Sequence, residues 1–129
     1  MIRITKEPIS LEETTKQLAL DKSCGAFLWF AGVVRNHHLG RQVANIDYEC
    51  YEEMAVQELQ RIHIEAKKQW PIHEVILIHR IGNVDAGETS LIVGVNSPHR
   101  HECFEAMHYI IDELKKRVPI WKKEYHASH

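Results

Sequence analysis

A single α+β domain spanning residues 1–129, with a mostly antiparallel sheet carrying two long helices, is the fold class this sequence predicts. Three observations predict it. Two segments, 52–70 and 97–117, repeat apolar residues at helical spacing, and several shorter runs alternate or stay apolar in the manner of strands. No repeat, linker or low-complexity tract divides the chain. A chain of 129 residues also suits one domain, which buries roughly two-thirds of the surface its unfolded form exposes.

The elements follow in order. Met1 to Lys6 alternates as a short strand, and Ser10 with Glu13 has capping-box spacing for a helix from Leu11 to Leu20. Cys24 to Val34 (CGAFLWFAGVV) is nearly all apolar, as in a strand covered on both faces, and ends at Arg35. Asn36 to Gln42 reads as a loop; Ile46, Tyr48 and Cys50 then alternate with Asp47 and Glu49 as a half-buried strand. Met54, Ala55, Leu59, Ile62 and Ala66 give a helix from Glu52 to Trp70 that Pro71 stops. Val75 to Ile81 and Ser90 to Val95 are strands joined by NVDAGE, where Gly82 and Gly87 suit a hairpin turn. Ser97 and Pro98 predict the cap and first position of a helix running to Arg117. Its apolar stripe is Cys103, Phe104, Met107, Ile110, Ile111, Leu114 and Val118, and Pro119 disfavours helical geometry at Val118.

A net charge of -2 gives the whole molecule no strong attraction for nucleic acid or an anionic membrane, so any anion site is local. Cys24, Cys50 and Cys103 are odd in number, far apart and outside any CxxC pair, which points to free thiols in a reducing compartment. The N-terminal segment lacks the apolar run of a signal peptide, and no stretch approaches the ~20 apolar residues of a membrane span. The expected location is the cytoplasm.

Candidate chemistry gathers at three places. His99, Arg100 and His101 follow the predicted helix start, where free amides and the helix dipole favour an anion such as phosphate. Arg100 falls in the angular sector of the apolar stripe, so it is expected to point inward; pairing with a buried carboxylate is the plain alternative. Arg35 opens a stretch to Ile46 with two arginines, two histidines and no carboxylate, a local positive patch where the amides of Val33 and Val34 would be free to donate. An ordinary solvated basic loop would look the same. Lys115 sits at the edge of the helix stripe, where partial burial would lower its pKa, although a snorkelling lysine covering core gives the same pattern. Past Pro119, IWKKE brings Lys122 and Lys123 beside two large apolar residues. The ten histidines suggest a metal, but neither His37-His38 nor His99-x-His101 has HExxH spacing or a full ligand set, so no metal site is predicted.

Taken together, FAGVVRNHHLG (Phe30 to Gly40), IDYECYEEMA (Ile46 to Ala55), HRIG (His79 to Gly82), SPHR (Ser97 to Arg100) and IDELKKRVPIWKKE (Ile111 to Glu124) resemble the large-subunit family of molybdopterin synthase. The resemblance implies an α/β hammerhead-type domain that forms a homodimer, with a ubiquitin-like small subunit bound to each copy in a heterotetramer. It implies a sulfurtransferase of molybdenum cofactor biosynthesis. Sulfur passes from the small subunit's C-terminal Gly-Gly thiocarboxylate to cyclic pyranopterin monophosphate, making the dithiolene of molybdopterin with no metal or other cofactor. It assigns Lys115 and Lys122 as catalytic. Arg35, His99, Arg100, Lys115 and Lys122 line the substrate pocket, with Val33, Val34, Lys123 and Glu124 adjoining. A non-catalytic pterin-phosphate binding scaffold is the alternative. The chain has only Tyr125 to His129 after WKKE, which leaves open any tail contribution to a neighbouring pocket.

Overall fold

A computed structural model describes residues 1–17 and 21–126. The elements are β1 (Ile2–Thr5), α1 (Leu11–Thr15), β2 (Ala26–Val33), β3 (His37–His38), β4 (Arg41–Cys50), α2 (Glu52–Gln69), β5 (Glu74–Arg80), β6 (Gly82–Asp85), β7 (Thr89–Ser97), α3 (Arg100–Arg117) and β8 (Ile120–His126). The predicted α+β class is what forms, with two sheets in place of one.

The first sheet has the order β1-β5-β7-β2. Only β1 and β5 run parallel; β5 with β7 and β7 with β2 are antiparallel. Because side chains alternate across a strand, Val75 and Leu77 of β5 and Leu91, Val93 and Val95 of β7 share one face. That face packs under Leu59, Ile62 and Ala66 of α2 and Cys103, Ala106, Ile110 and Leu114 of α3 to make the main core. Each fully buried Leu or Ile there stabilises the fold by about 1.5–3 kcal/mol. Ile76, Ile78 and Ile92 on the reverse face meet Ile9, Leu11 and Trp29 in a smaller cluster. Gly94 occupies mid-strand β7 because a side chain there would collide with the Trp29 ring opposite it.

In the second sheet β4 pairs with β3, β6 and β8, over a cluster of Val34, Val43, Ile46 and Val84. The two long helices are clamped together by Arg117, which donates to Glu65 at 2.6 Å and to Glu58 at 3.2 Å.

Several expectations are corrected. β2 is an edge strand, not covered on both faces: Phe27 is 37% and Val33 50% exposed, because the short α1 cluster reaches only part of the reverse face. Residues 36–42 form a tight hairpin instead of a loop, with Leu39 (φ 51°) and Gly40 (φ 78°) turning between His38 and Arg41. Two positive φ values match a type I′ turn, usually signalled by Asn-Gly, and leucine hides that signal. NVDAGE is not all turn: Gly82 (φ 81°) bends the chain out of β5 and into β6, which pairs with β4. Ser97 remains in β7 and donates its hydroxyl to the His99 carbonyl at 2.5 Å, so His99, not Ser97, caps α3 and Pro98 lies outside the helix. At α1 the Glu13 amide does donate to the Ser10 hydroxyl, at 3.3 Å, but the helix ends at Thr15; residues 18–20 of the expected longer helix lie outside the described residues. The three cysteines are free, with Cys103 buried and Cys24 and Cys50 half-buried.

Candidate active site

The last turn of α3 and the strand after it build one wall of a cavity of about 430 Å³. Pro119 forbids helix at Val118, whose φ of -79° and ψ of 125° are extended, and the chain leaves α3 as β8. Along β8 side chains alternate. Ile120 and Lys122 therefore share the face that lines the cavity, while Trp121 stacks edge-on against Tyr51 at 4.9 Å and Lys123 lies 5.4 Å over the Tyr125 ring on the other face. From α3 come Leu114 and Lys115. Phe30, Gly32 and Val33 of β2, Ser90 and Leu91 of β7, Tyr48 of β4 and His79 of β5 complete the lining. Two lysines from different elements thus face one largely apolar space, and its lining contains no carboxylate.

His79 is 7% exposed and donates from Nδ1 to the Arg80 carbonyl at 2.7 Å, with the Tyr48 ring edge-on at 5.2 Å. Burial pushes its imidazole below the ordinary histidine range, outweighing the opposite effect of the Arg80 hydrogen bond. Tyr48 in turn sits opposite Lys122 across the β4–β8 pair. Ser90 donates its hydroxyl to the Gly32 carbonyl at 3.3 Å, holding β2 against β7 beside the cavity.

A smaller cavity of about 90 Å³ adjoins the first, sharing Val33, Tyr48 and Lys122 with it and adding Val34, Arg35 and Glu124. Arg35 is exposed, its guanidinium 3.3 Å from His38 Nδ1. The Val34 amide is not free, since it donates to the Glu88 carbonyl at 3.0 Å while the side chain enters the core. His99 and Arg100 lie elsewhere, with Gly25, Pro98, His101 and Phe104 around an open hollow of about 510 Å³. Fifteen residues separate Arg100 from Lys115 along α3, about 22 Å at 1.5 Å per residue. Among the described residues no three His, Cys, Asp or Glu side chains are placed to hold a metal ion.

The profile of the MoaE protein family matches residues 4–117. The chain belongs to that family. It is 42% identical over 125 residues to the molybdopterin synthase catalytic subunit of Pyrococcus abyssi, covering 95% of this chain and 84% of that protein. It is 40% identical over 128 residues to the protein of the same name from Bos taurus, covering 99% of this chain and 67% of that one. The crystal structure of molybdopterin synthase from Staphylococcus aureus superposes with a TM-score of 0.89 at 33% identity, covering 98% of this chain and 91% of that one.

Within a single MoaE-family chain, then, the structure gathers Val33, Lys115 and Lys122 in one cavity, carries Val34, Arg35 and Glu124 in the space next to it, turns Lys123 away, and leaves His99 and Arg100 apart. Two expectations about side-chain direction are overturned. Arg100 is exposed and does not point inward: the buried positions of α3 are Cys103, Ala106, Met107, Ile110 and Leu114, and Phe104 is 60% exposed, so the stripe is narrower than the apolar letters suggest. Lys115 is exposed too. His79, Tyr48 and Ser90 were missed as site residues. For His79 a signal exists: it stands two residues beyond Leu77 and four beyond Val75, on the core-facing side of a buried strand where an ionisable group is out of place.

Proposed function

We infer that the lysine-lined cavity is where this chain carries out the family's sulfur transfer, from the C-terminal thiocarboxylate of a ubiquitin-like small subunit to cyclic pyranopterin monophosphate. The observation that carries this reading is the meeting of Lys115 and Lys122 in one cavity whose own lining contains no carboxylate. Thiocarboxylate, phosphate and the oxyanion formed as the acyl carbon becomes tetrahedral are all anionic, and preorganised cations in a water-poor site stabilise such charge. Lys115 is the central catalytic residue, as nucleophile or proton carrier, and Lys122 its assistant. A Gly-Gly tail suits a narrow approach past Val33 because glycine has no side chain to clash, and once seated it would cover the lysines that a lone chain leaves exposed.

Arg35, one cavity away, is suited to the phosphate or pterin end of the substrate, with Val33, Val34 and Glu124 shaping the passage. Lys123 adjoins this strand from the outer face. His99 and Arg100 are too far along α3 to reach the same phosphate from the same chain, so they serve the site of the second copy in a homodimer, which with two small subunits makes the heterotetramer. All 129 residues act as one domain. The setting is the cytoplasm, in keeping with free cysteines and with the absence of any helix long and apolar enough to cross a membrane among the described residues.

Mixing the protein with thiocarboxylated small subunit and the pterin precursor, then assaying dithiolene, tests the reading. The parent forms product and chelators leave the yield unchanged. Precursor binding without any product would instead support the scaffold alternative.

A further inference from the structure

We propose that His79 is a further catalytic residue of this cavity, its Nε2 accepting a proton from an O–H or N–H group of the bound pterin during sulfur transfer. The proposal rests on the reading of the cavity as the substrate site.

Geometry fixes the form of the ring. A backbone carbonyl can only accept, so the Nδ1 that lies 2.7 Å from the Arg80 oxygen must carry the hydrogen. In a neutral ring that leaves the lone pair on Nε2. His79 belongs to the cavity lining, and the edge-on Tyr48 ring at 5.2 Å packs against its imidazole. Burial pushes the imidazole below the ordinary histidine range, which favours the neutral ring. Facing it in the lining are Lys115 from α3, Lys122 from β8 and the hydroxyls of Tyr48 from β4 and Ser90 from β7, with no carboxylate among them. Arg80, next in β5, is a cation turned to the Asn83 carbonyl and Glu88; on β1 the residue in register is the apolar Ile4.

The step balances without a co-reactant. The X–H bond of the substrate breaks, an Nε2–H bond forms, and X keeps the electron pair, its negative charge facing the two lysines. The imidazolium then returns the proton to the oxygen that departs as sulfur replaces it. His79 thus adds an imidazole acceptor to a lining that has two lysines and no carboxylate.

His79→Asn is the sharpest variant, because the asparagine amide retains a donor near the Nδ1 position and deletes Nε2. Single-turnover product formation should fall about 100-fold or more, the usual contribution of a general base, while precursor binding and the unfolding midpoint stay near the parent's. In His79→Ala, added imidazole should restore part of the rate. The parent's own rate should decline only at pH below the ordinary histidine range, because burial lowers the pH at which the acceptor becomes protonated. Near-parent turnover by His79→Asn, or no rescue of His79→Ala by imidazole, would each overturn the assignment. Lys115→Arg and Lys122→Ala run in parallel separate the two levels: if they too turn over normally, the cavity is not the substrate site; if they fail while His79→Asn does not, only the role of His79 is wrong.

Discussion

At its C-terminal end α3 sets Lys115 over a cavity floored by His79 and walled by strands of both sheets, whereas at its N-terminal end it sets His99 and Arg100 on an open surface beside Gly25 and Phe104. Cations in the last turn, here Lys115, Lys116 and Arg117, oppose the negative end of the helix dipole and are favourable to the fold. Cations at the first turn are unfavourable by a few tenths to about 1 kcal/mol until an anion arrives between them and the free amides. The two ends of one helix thus differ in what their cations do for the fold, and they lie about 22 Å apart.

The largest effect expected from breaking this arrangement is at the C-terminal end. Lys115→Arg keeps the charge and the dipole interaction but removes an amine able to lose its proton, so single-turnover sulfur transfer should drop about 100-fold or more with precursor binding little changed. Near-normal product formation would remove Lys115 from the mechanism.

At the open end Arg100→Ala should weaken precursor binding by about 1.5–3 kcal/mol, the worth of a charge-assisted hydrogen bond, and leave the thermal midpoint almost unmoved because Arg100 is exposed. Titration calorimetry with the precursor reads this directly; unchanged affinity would show that the N-terminal end of α3 serves another purpose. Mixing the two variants sharpens the point. If His99 and Arg100 act on the second copy's cavity, a heterodimer of Lys115→Arg with Arg100→Ala has one site with both defects and one with neither. At precursor concentrations too low for Arg100→Ala to bind, up to half of the parental activity per mixed dimer should then return, and a mixture no more active than its two parents would contradict the exchange.

The smallest effect concerns what holds the C-terminal end in place. Glu58 and Glu65 are held below the usual carboxylate range, Glu58 mainly by Arg61 and then Arg117, Glu65 mainly by Arg117. Carboxyls depressed in the folded state contribute stability that is present above their unfolded value near pH 4.3 and disappears as pH falls through the lower folded values. Arg117→Met should lower the urea midpoint modestly at pH 7 and flatten its decline between about pH 4.5 and 3. An acid limb identical to the parent's would show that the clamp adds nothing.

Much of this was legible locally. α2 and α3 follow from 3.6-residue spacing and from Pro71 and Pro119; β5 and β7 follow from continuous apolar runs. β6 and β8 were not legible, because each is defined by pairing with β4, tens of residues away, and neither has a strand pattern of its own. The same cause hid part of the site. Lys122 and Lys123 are equivalent as letters, and only the alternation imposed by the β4–β8 register turns one into the cavity and the other onto Tyr125.

By itself, then, the sequence determined the helices, the α+β class, the family and the set of cations available for chemistry, since these depend on local period, caps, prolines and motif order. Only the tertiary structure decided which of those cations meet. It brought Lys115, Lys122 and the buried His79 of β5 to one cavity and separated Arg100 from them, because a straight helix holds its two ends a fixed distance apart whatever residues they carry.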